Sequence, residues 1–345
     1  MPINENAPLS VTPGAIRFNT DSMKLEYYRG GPVGFGTTTT TGEWVNLTTD
    51  TPDIQTGGAR GVLATGNPST STINYITIST TGNAIYFGDL TAARRNLESF
   101  SSSTRGVFGG GRGGPFPFVP YSSVVDYITI SSTGNAINFG DTLSSGRRAP
   151  FGLSNAVRGV FGGGEVPGGA STNVIEYTTI SSLSLFQDFG NLQTAQRYLG
   201  DCSSSTRGLI SSCGPAFERI DYITISTLGN SATFGNLTQS RLDAVGLSNA
   251  TRGVFGSGLS SPTNVNTIDY VTIAALGNAV DFGDLSTAKQ GLSACASSIR
   301  GVFGGGSDNT IEYITIMSTG NAVDFGDLTV TSYEGDGLSN GHGGL

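Results

Sequence analysis

One unit recurs six times along this chain, and that recurrence constrains the fold more than any other feature of the sequence. Its last copy runs Arg300-Gly301-Val302-Phe303-Gly304-Gly305-Gly306, then Ile311-Glu312-Tyr313-Ile314-Thr315-Ile316, then Gly320-Asn321-Ala322-Val323-Asp324-Phe325-Gly326-Asp327-Leu328. The opening Arg-Gly pair falls at Arg60, Arg105, Arg158, Arg207, Arg252 and Arg300, in steps of 45, 53, 49, 45 and 48 residues. A period in the forties points to a propeller, a solenoid or an array. Length alone, 345 residues, would suggest two or three domains. Six units of one kind override that prior, because such units close into a single body.

Each unit carries three strand signals. They are an apolar-glycine run (Gly159 to Gly163), a β-branched and aromatic alternation (Ile268 to Ile273) and a short third run (Asn278 to Leu285). A Ser-Thr-Gly-Asn type of turn separates the last two. Between units lies a segment of small residues, such as Gly246 to Thr251, suited to a fourth strand crowded near an axis. No 3.6-residue period persists, so no helix is expected. Four short strands repeated every forty-odd residues describe a propeller blade. Glycine is 52 of 345 residues, but Gly and Pro together stay below the level of a low-complexity chain, so the glycines mark turns.

The units resemble kelch repeats over about 285 residues. A glycine pair follows the apolar strand (Gly109-Gly110, Gly162-Gly163, Gly304-Gly305), and a tyrosine follows (Tyr75, Tyr127, Tyr177, Tyr222, Tyr270, Tyr313). An aromatic then stands at the kelch tryptophan position, here Phe87, Phe139, Phe189, Phe234, Phe282 and Phe325. A basic residue ends most units: Arg95, Arg148, Arg197, Arg241, Lys289. Phe in place of Trp, and Ser211-Ser212 in place of the glycines in the fourth unit, depart from the pattern. The resemblance implies an all-β, six-bladed propeller. The first unit lacks the small-residue strand before its Arg-Gly, while Gly337-Leu338-Ser339-Asn340 after the last unit copies Gly152-Leu153-Ser154-Asn155. Residues 335–345 are therefore expected to complete the first blade and tie the ring shut.

Residues 1–50 read as a separate small β module, joined through a linker over 51–59. Alternation on both sides of Thr20-Asp21-Ser22 predicts a hairpin of Gly14 to Asn19 with Lys24 to Tyr28, and Glu43 to Leu47 supplies a third strand. Gly14 to Asn19, Lys24 to Tyr27 and Trp44-Val45 together resemble a short module of bacteriophage tail-fibre and related virion proteins, over about 35 residues. The loop Gly30 to Gly42 is longer than the usual turn. That resemblance implies a virion protein whose N-terminal piece docks or oligomerises, with Phe18, Tyr27 and Trp44 as docking residues.

Bulk properties exclude several classes. The net charge is −8 and the only lysines are Lys24 and Lys289, which argues against nucleic acid and against an anionic membrane surface. Cys202, Cys213 and Cys295 match no metal spacing and are expected as free thiols, compatible with assembly in the host cytoplasm. There is no apolar run of membrane-spanning length, and Met1-Pro2-Ile3-Asn4 opens no signal peptide. Catalysis finds little support. His342 is the only histidine, so a Ser-His-Asp triad, a histidine metal site and kelch-type copper chemistry lack their residues. No phosphate-loop pattern is present, and the acids recur by blade instead of clustering once. No cofactor is expected; the remaining metal reading is Ca²⁺ in an Asp/Asn/Gly loop.

The six opening arginines are expected to pair with carboxylates such as Asp89, Asp141, Asp284 or Asp327, or with strand-end carbonyls, and the tyrosine row to pack the blades. Differences between units are more informative. The loop after the glycine strand is longest in the second unit, Gly111 to Tyr121, where Arg112, Phe116, Phe118 and Tyr121 form a recognition element of aromatics and arginine. Loops 164–172 and 258–267 follow in length. These readings combine into a non-enzymatic phage virion protein (tail fibre, tail tip or capsid-surface decoration), present in several copies per particle. Its partners are other virion proteins and a host-surface glycan, with neither nucleic acid nor membrane insertion. The alternatives are a glycan-cleaving propeller and a host intracellular scaffold.

Overall fold

The computed structural model describes residues 15–19, 24–30, 42–46, 59–66, 70–113, 121–182, 185–211 and 218–345. The chain divides into two compact units, Met1–Thr51 and Pro52–Leu345. The first is a three-stranded antiparallel sheet of Ile16–Asn19, Lys24–Gly30 and Gly42–Asn46, with Ile16 opposite Tyr27 and Tyr28 opposite Trp44. Arg17 Nε donates to Glu26 at 2.8 Å and its guanidinium lies 4.2 Å from the Trp44 ring centre, while Tyr28 packs on Trp44 at 5.4 Å. Phe18 and Tyr27 occupy strand positions whose side chains lie outside the described residues.

The second unit is a six-bladed β-propeller. Six antiparallel sheets follow one another, and their inner strands touch in a ring. Blade 1 consists of Asp336–Ser339, Arg60–Ala64, Thr72–Thr77 and Ile85–Asp89, so the C-terminal strand is its innermost member. Leu338 stands opposite Val62, and the ring is closed in the way the copied Gly-Leu-Ser predicts. The other inner strands are Arg95–Ser101, Phe151–Ser154, Asp201–Ser203, Val245–Ser248 and Leu292–Ala296. Blade 5 adds the short strand Leu259–Ser260, folded back on Thr263–Thr272.

The repeated residues are those that one blade needs from the next. The glycine after each opening arginine leaves room for a side chain from the preceding inner strand. A Cβ on Gly159 would lie 2.1 Å from the Phe100 ring, one on Gly208 2.5 Å from Leu153, and one on Gly61 2.5 Å from Cys295. The glycine of Phe-Gly-Asp/Asn sits at a bulge in the outer strand. At Gly190, with φ of +144°, a Cβ would lie 2.4 Å from the Gly229 carbonyl of the next blade's turn. That turn in exchange donates Gly229 N–H to Phe189 O at 2.9 Å, and the same bond recurs from Gly134 to Phe87 and from Gly320 to Phe282.

The opening arginines take the carbonyl alternative. Arg60, Arg105, Arg158, Arg207, Arg252 and Arg300 donate to Ile130, Ile180, Ile225, Ile273, Ile316 and Ile78 respectively, at 2.7–3.1 Å. Each thus clamps the following blade, and the sixth clamps the first. Each also lies 4.1–4.6 Å over its own blade's tyrosine, which meets the blade's phenylalanine nearly edge-on. Of the expected carboxylate partners, Asp89 accepts instead from Ser71 and Tyr86, and the Asp141 side chain lies outside the described residues. The tyrosine row packs.

In two blades the basic residue that ends the unit is preceded by a second arginine, and it is that one which is buried. The buried cations are Arg94 and Arg147, one residue before Arg95 and Arg148. They pair with Asp126 at 2.7 Å and Glu176 at 2.5 Å, as Arg241 does with Asp269 at 3.0 Å. Arg94 also donates through its terminal nitrogens to the carbonyls of Gly110 and Val124, so its charge is neutralised far from water, while its Nε–H has no acceptor among the described residues. Cys202 and Cys295 are buried free thiols, raised by burial; Cys213 lies outside the described residues.

Candidate functional site

Up-and-down connectivity puts the glycine-rich loops and the blade-to-blade crossings at one end of the ring, here the loop face, and the Ser-Thr-Gly-Asn turns at the other. Two features depart from the repeat: the axis, and the loop face of blades 2 to 4.

Along the axis, serines bridge the inner strands. Ser154 donates to Ser101 O, Ser203 to Ser154 O, and Ser248 to Ser203 O, at 2.7–2.8 Å; Ser101 donates to Ser339 O, and Ser339 to Ala296 O. Ala296 breaks the belt, having no hydroxyl for the Ser248 carbonyl. The tail fills that gap: Gly343 N–H donates to Ser248 O at 3.0 Å. His342 Nε2–H donates to Ser101 O at 3.0 Å, while its Nδ1 accepts from Gly344 N–H at 3.0 Å. Those two bonds assign the neutral tautomer, and burial lowers the histidine's proton affinity in the same sense. The only histidine of the chain is thus an axial plug, which the sequence reading did not foresee.

Toward the loop face, the axial cavity (about 60 Å³) is lined by Glu98, Asp201, Asp243 and Asp336. Burial raises all four carboxyls, and their mutual repulsion adds to it at Glu98 and Asp201; Asp336 reaches about 6 and Asp243 about 7. Among the described residues, no three His, Cys, Asp or Glu are placed to hold one metal ion.

The loop face of blades 2 to 4 concentrates charge and aromatic surface. Arg112 ends the second strand of blade 2 and stands opposite Arg95 in the ladder, with Tyr121 bridging to Arg112 on its other side. In blade 3 the corresponding pair is Arg148 opposite Glu165. Glu165 accepts from Arg148 Nε and Nη2 at 3.0 and 2.9 Å, and from Arg197 and the Tyr121 hydroxyl. Burial works to raise Glu165, but these hydrogen bonds and cations outweigh it and hold the carboxyl below its ordinary value. The Tyr198 ring lies between Arg148 and Arg197, 5.4 and 5.8 Å from their guanidinium carbons.

Arg112 makes no such ion pair among the described residues, the nearest opposite charge acting on it being Glu334. Among the described residues its buried Nε–H has no hydrogen-bond acceptor. Burial and the neighbouring charges of Arg148 and Arg95 lower its proton affinity, against the opposing pull of Glu334. Arg95 itself reaches Glu334 only at 3.6 Å. A cavity of about 510 Å³ opens between Ala92 to Arg94 on one side and Gly113 with Tyr121 to Val124 on the other; neither Arg95 nor Arg112 lines it. Of the four residues singled out in the second unit, Arg112 and Tyr121 stand together here, while Phe116 and Phe118 lie outside the described residues. The sequence reading missed Arg95, Arg148, Arg197 and Glu165 as members of this cluster, although three of them carried the signal of a basic residue at each unit's end. In the N-terminal sheet, Trp44 is half-buried with its Nε1–H lacking an acceptor among the described residues. No helix of the described residues is long and apolar enough to cross a membrane. The chain matches no protein-family model, and no curated protein matches it in sequence.

Proposed function

We propose that this protein is a non-enzymatic component of a bacteriophage particle, a tail-fibre, tail-tip or capsid-surface protein. Its N-terminal sheet docks it to the virion, and its kelch-like propeller presents the loop face to a host-surface glycan or a neighbouring virion protein. The observation that carries the binding reading is the broken symmetry of that face. The residues joining the blades repeat around the ring, whereas, among the described residues, Arg95, Arg112, Tyr121, Arg148, Glu165 and Arg197 gather on blades 2 to 4. Aromatics and arginine are the side chains that dominate binding hot spots. Several copies on one particle would turn weak single contacts into firm attachment. The virion assignment is supported by the N-terminal strand pattern, in which Arg17 stacks on the half-buried Trp44. Two measurements test the reading. Antibody against the propeller is expected to decorate intact purified particles, and envelope polysaccharide incubated with the full chain is expected to be retained without release of reducing sugars. Undecorated particles would reject the virion assignment; released sugars would turn the reading toward a cleaving enzyme.

A further inference from the structure

We propose that a second copy of this chain docks on the turn face of the propeller, pairing two rings through an arc of exposed apolar side chains on blades 3 to 6. The turn face is the end opposite the loop face, where the chain reverses after Ser154, Thr179 and their counterparts. In blades 1 and 2 the exposed turn positions are polar: Thr81 and Thr133 precede the Gly-Asn pair, and Thr104 precedes Arg105. The same positions hold Val157 in blade 3, Leu228 in blade 4, Leu276 in blade 5 and Ile299 in blade 6. Leu185 of blade 3 and Met317 of blade 6 join them, and all six side chains are 57–68 % exposed. Hydrogen bonds make the arc continuous from blade to blade. Asn155 Nδ2 donates to Ser226 Oγ at 3.5 Å, which sets the turn of Val157 beside that of Leu228. Thr251 meets Met317 Sδ at 3.7 Å across the same junction of blades 5 and 6. A contiguous exposed apolar surface of this kind marks a contact with another molecule.

Charge selects the occupant. The chain has net charge −8, and copies of like charge repel one another over most of their surface. This end is the exception. The turns 79–84, 131–136, 181–186, 226–231, 274–279 and 317–322 carry no charged residue, nor do 102–104, 155–157, 204–206, 249–251 and 297–299. The opening arginines that follow the inner turns are engaged by isoleucine carbonyls of the next blade. A strongly charged partner finds no matching cluster here, whereas a second copy meets neither repulsion nor a charge to strip of water. The arc is also self-complementary, because a two-fold axis sets its leucines against the same leucines, and such contacts are the commonest between identical chains. Two propellers joined in this way keep both loop faces free, so the contact neither depends on the glycan reading nor competes with it.

Sedimentation of the full chain over a wide concentration range tests the pairing. The variants are Leu228→Glu combined with Leu276→Glu and, as a control, Val330→Glu, an exposed apolar position in the outer strand of blade 6 away from the turns. Parent and control are expected to form a dimer that dissociates on dilution and tightens in added sulfate, as an apolar contact does. The double glutamate variant is expected to be monomeric and to melt as the parent does, since both side chains are exposed. Leu228→Thr with Leu276→Thr copies the turns of blades 1 and 2 and is expected to weaken the dimer at least tenfold; it decides the matter if the glutamates disturb folding. Monomers at every concentration overturn the pairing, and protection of the turn face seen then only on intact particles would assign that face to another virion protein. A dimer of the parent that both double variants retain overturns it equally and moves the contact to another surface.

Discussion

At the scale of single residues, the repeat records contacts between blades more than contacts within them. Gly159 is glycine because the Phe100 ring occupies the space a Cβ would take. Gly159→Ala is expected to destabilise the ring by roughly 1–3 kcal/mol, the usual cost of overpacking a filled core. Denaturant unfolding checks it, and pairing the change with Phe100→Leu should recover part of the loss. The Arg94–Asp126 pair is a second case, with side chains 1 % and 0 % exposed. Asp126→Ala leaves a buried guanidinium uncompensated and is expected to cost about 3–5 kcal/mol. The double change Arg94→Met with Asp126→Leu should restore much of it. Arg94 was not distinguishable from Arg95 in the sequence, since two adjacent arginines look alike until the crossing segment determines which one faces inward. The carbonyl partners of the opening arginines were equally hidden, because each lies roughly 65–75 residues downstream, or back in the first blade, on another sheet.

At the scale of elements, the four-strand blade and the C-terminal closure were legible, and for one reason. A strand that must fit the same place in every blade keeps the same small residues, so Gly337-Leu338-Ser339 reads as a copy of Gly152-Leu153-Ser154. The tail beyond it was not legible, because a plug on the axis occurs once and has no repeat to betray it. The two parts of the C-terminus are expected to behave differently. Removing residues 336–345 takes away the inner strand of blade 1 and should abolish cooperative melting of the ring. Removing only residues 341–345 leaves the strand and costs the Ser248 carbonyl its donor, a loss of about 1–3 kcal/mol. Calorimetry on the two truncations distinguishes them; equal melting temperatures would show that the inner strand contributes nothing to closure.

At the scale of the whole molecule, the ring gathers acids at its centre. The folded carboxyls of Asp336 and Asp243, at about 6 and about 7, lie above the ordinary carboxylate value, so the folded state holds protons that the unfolded chain has released. Their stabilising contribution is fully present below about pH 4 and is lost as pH rises through 6 and 7. Thermal unfolding is therefore expected at a lower temperature at pH 8 than at pH 5, and Asp243→Asn should flatten that slope. The same ring separates a conserved-by-geometry interior from a loop face that differs blade by blade. Only part of that difference was readable: the long loop announced Arg112 and Tyr121, but the partners Arg148, Arg197 and Glu165 come from other blades. The most direct test of a binding face there is footprinting of the full chain, by hydroxyl radicals, with and without host envelope polysaccharide. Protection confined to the loop face of blades 2 to 4, around Arg112, Tyr121 and Tyr198, is the expected result; protection of the turn face, or of all six blades alike, would contradict it.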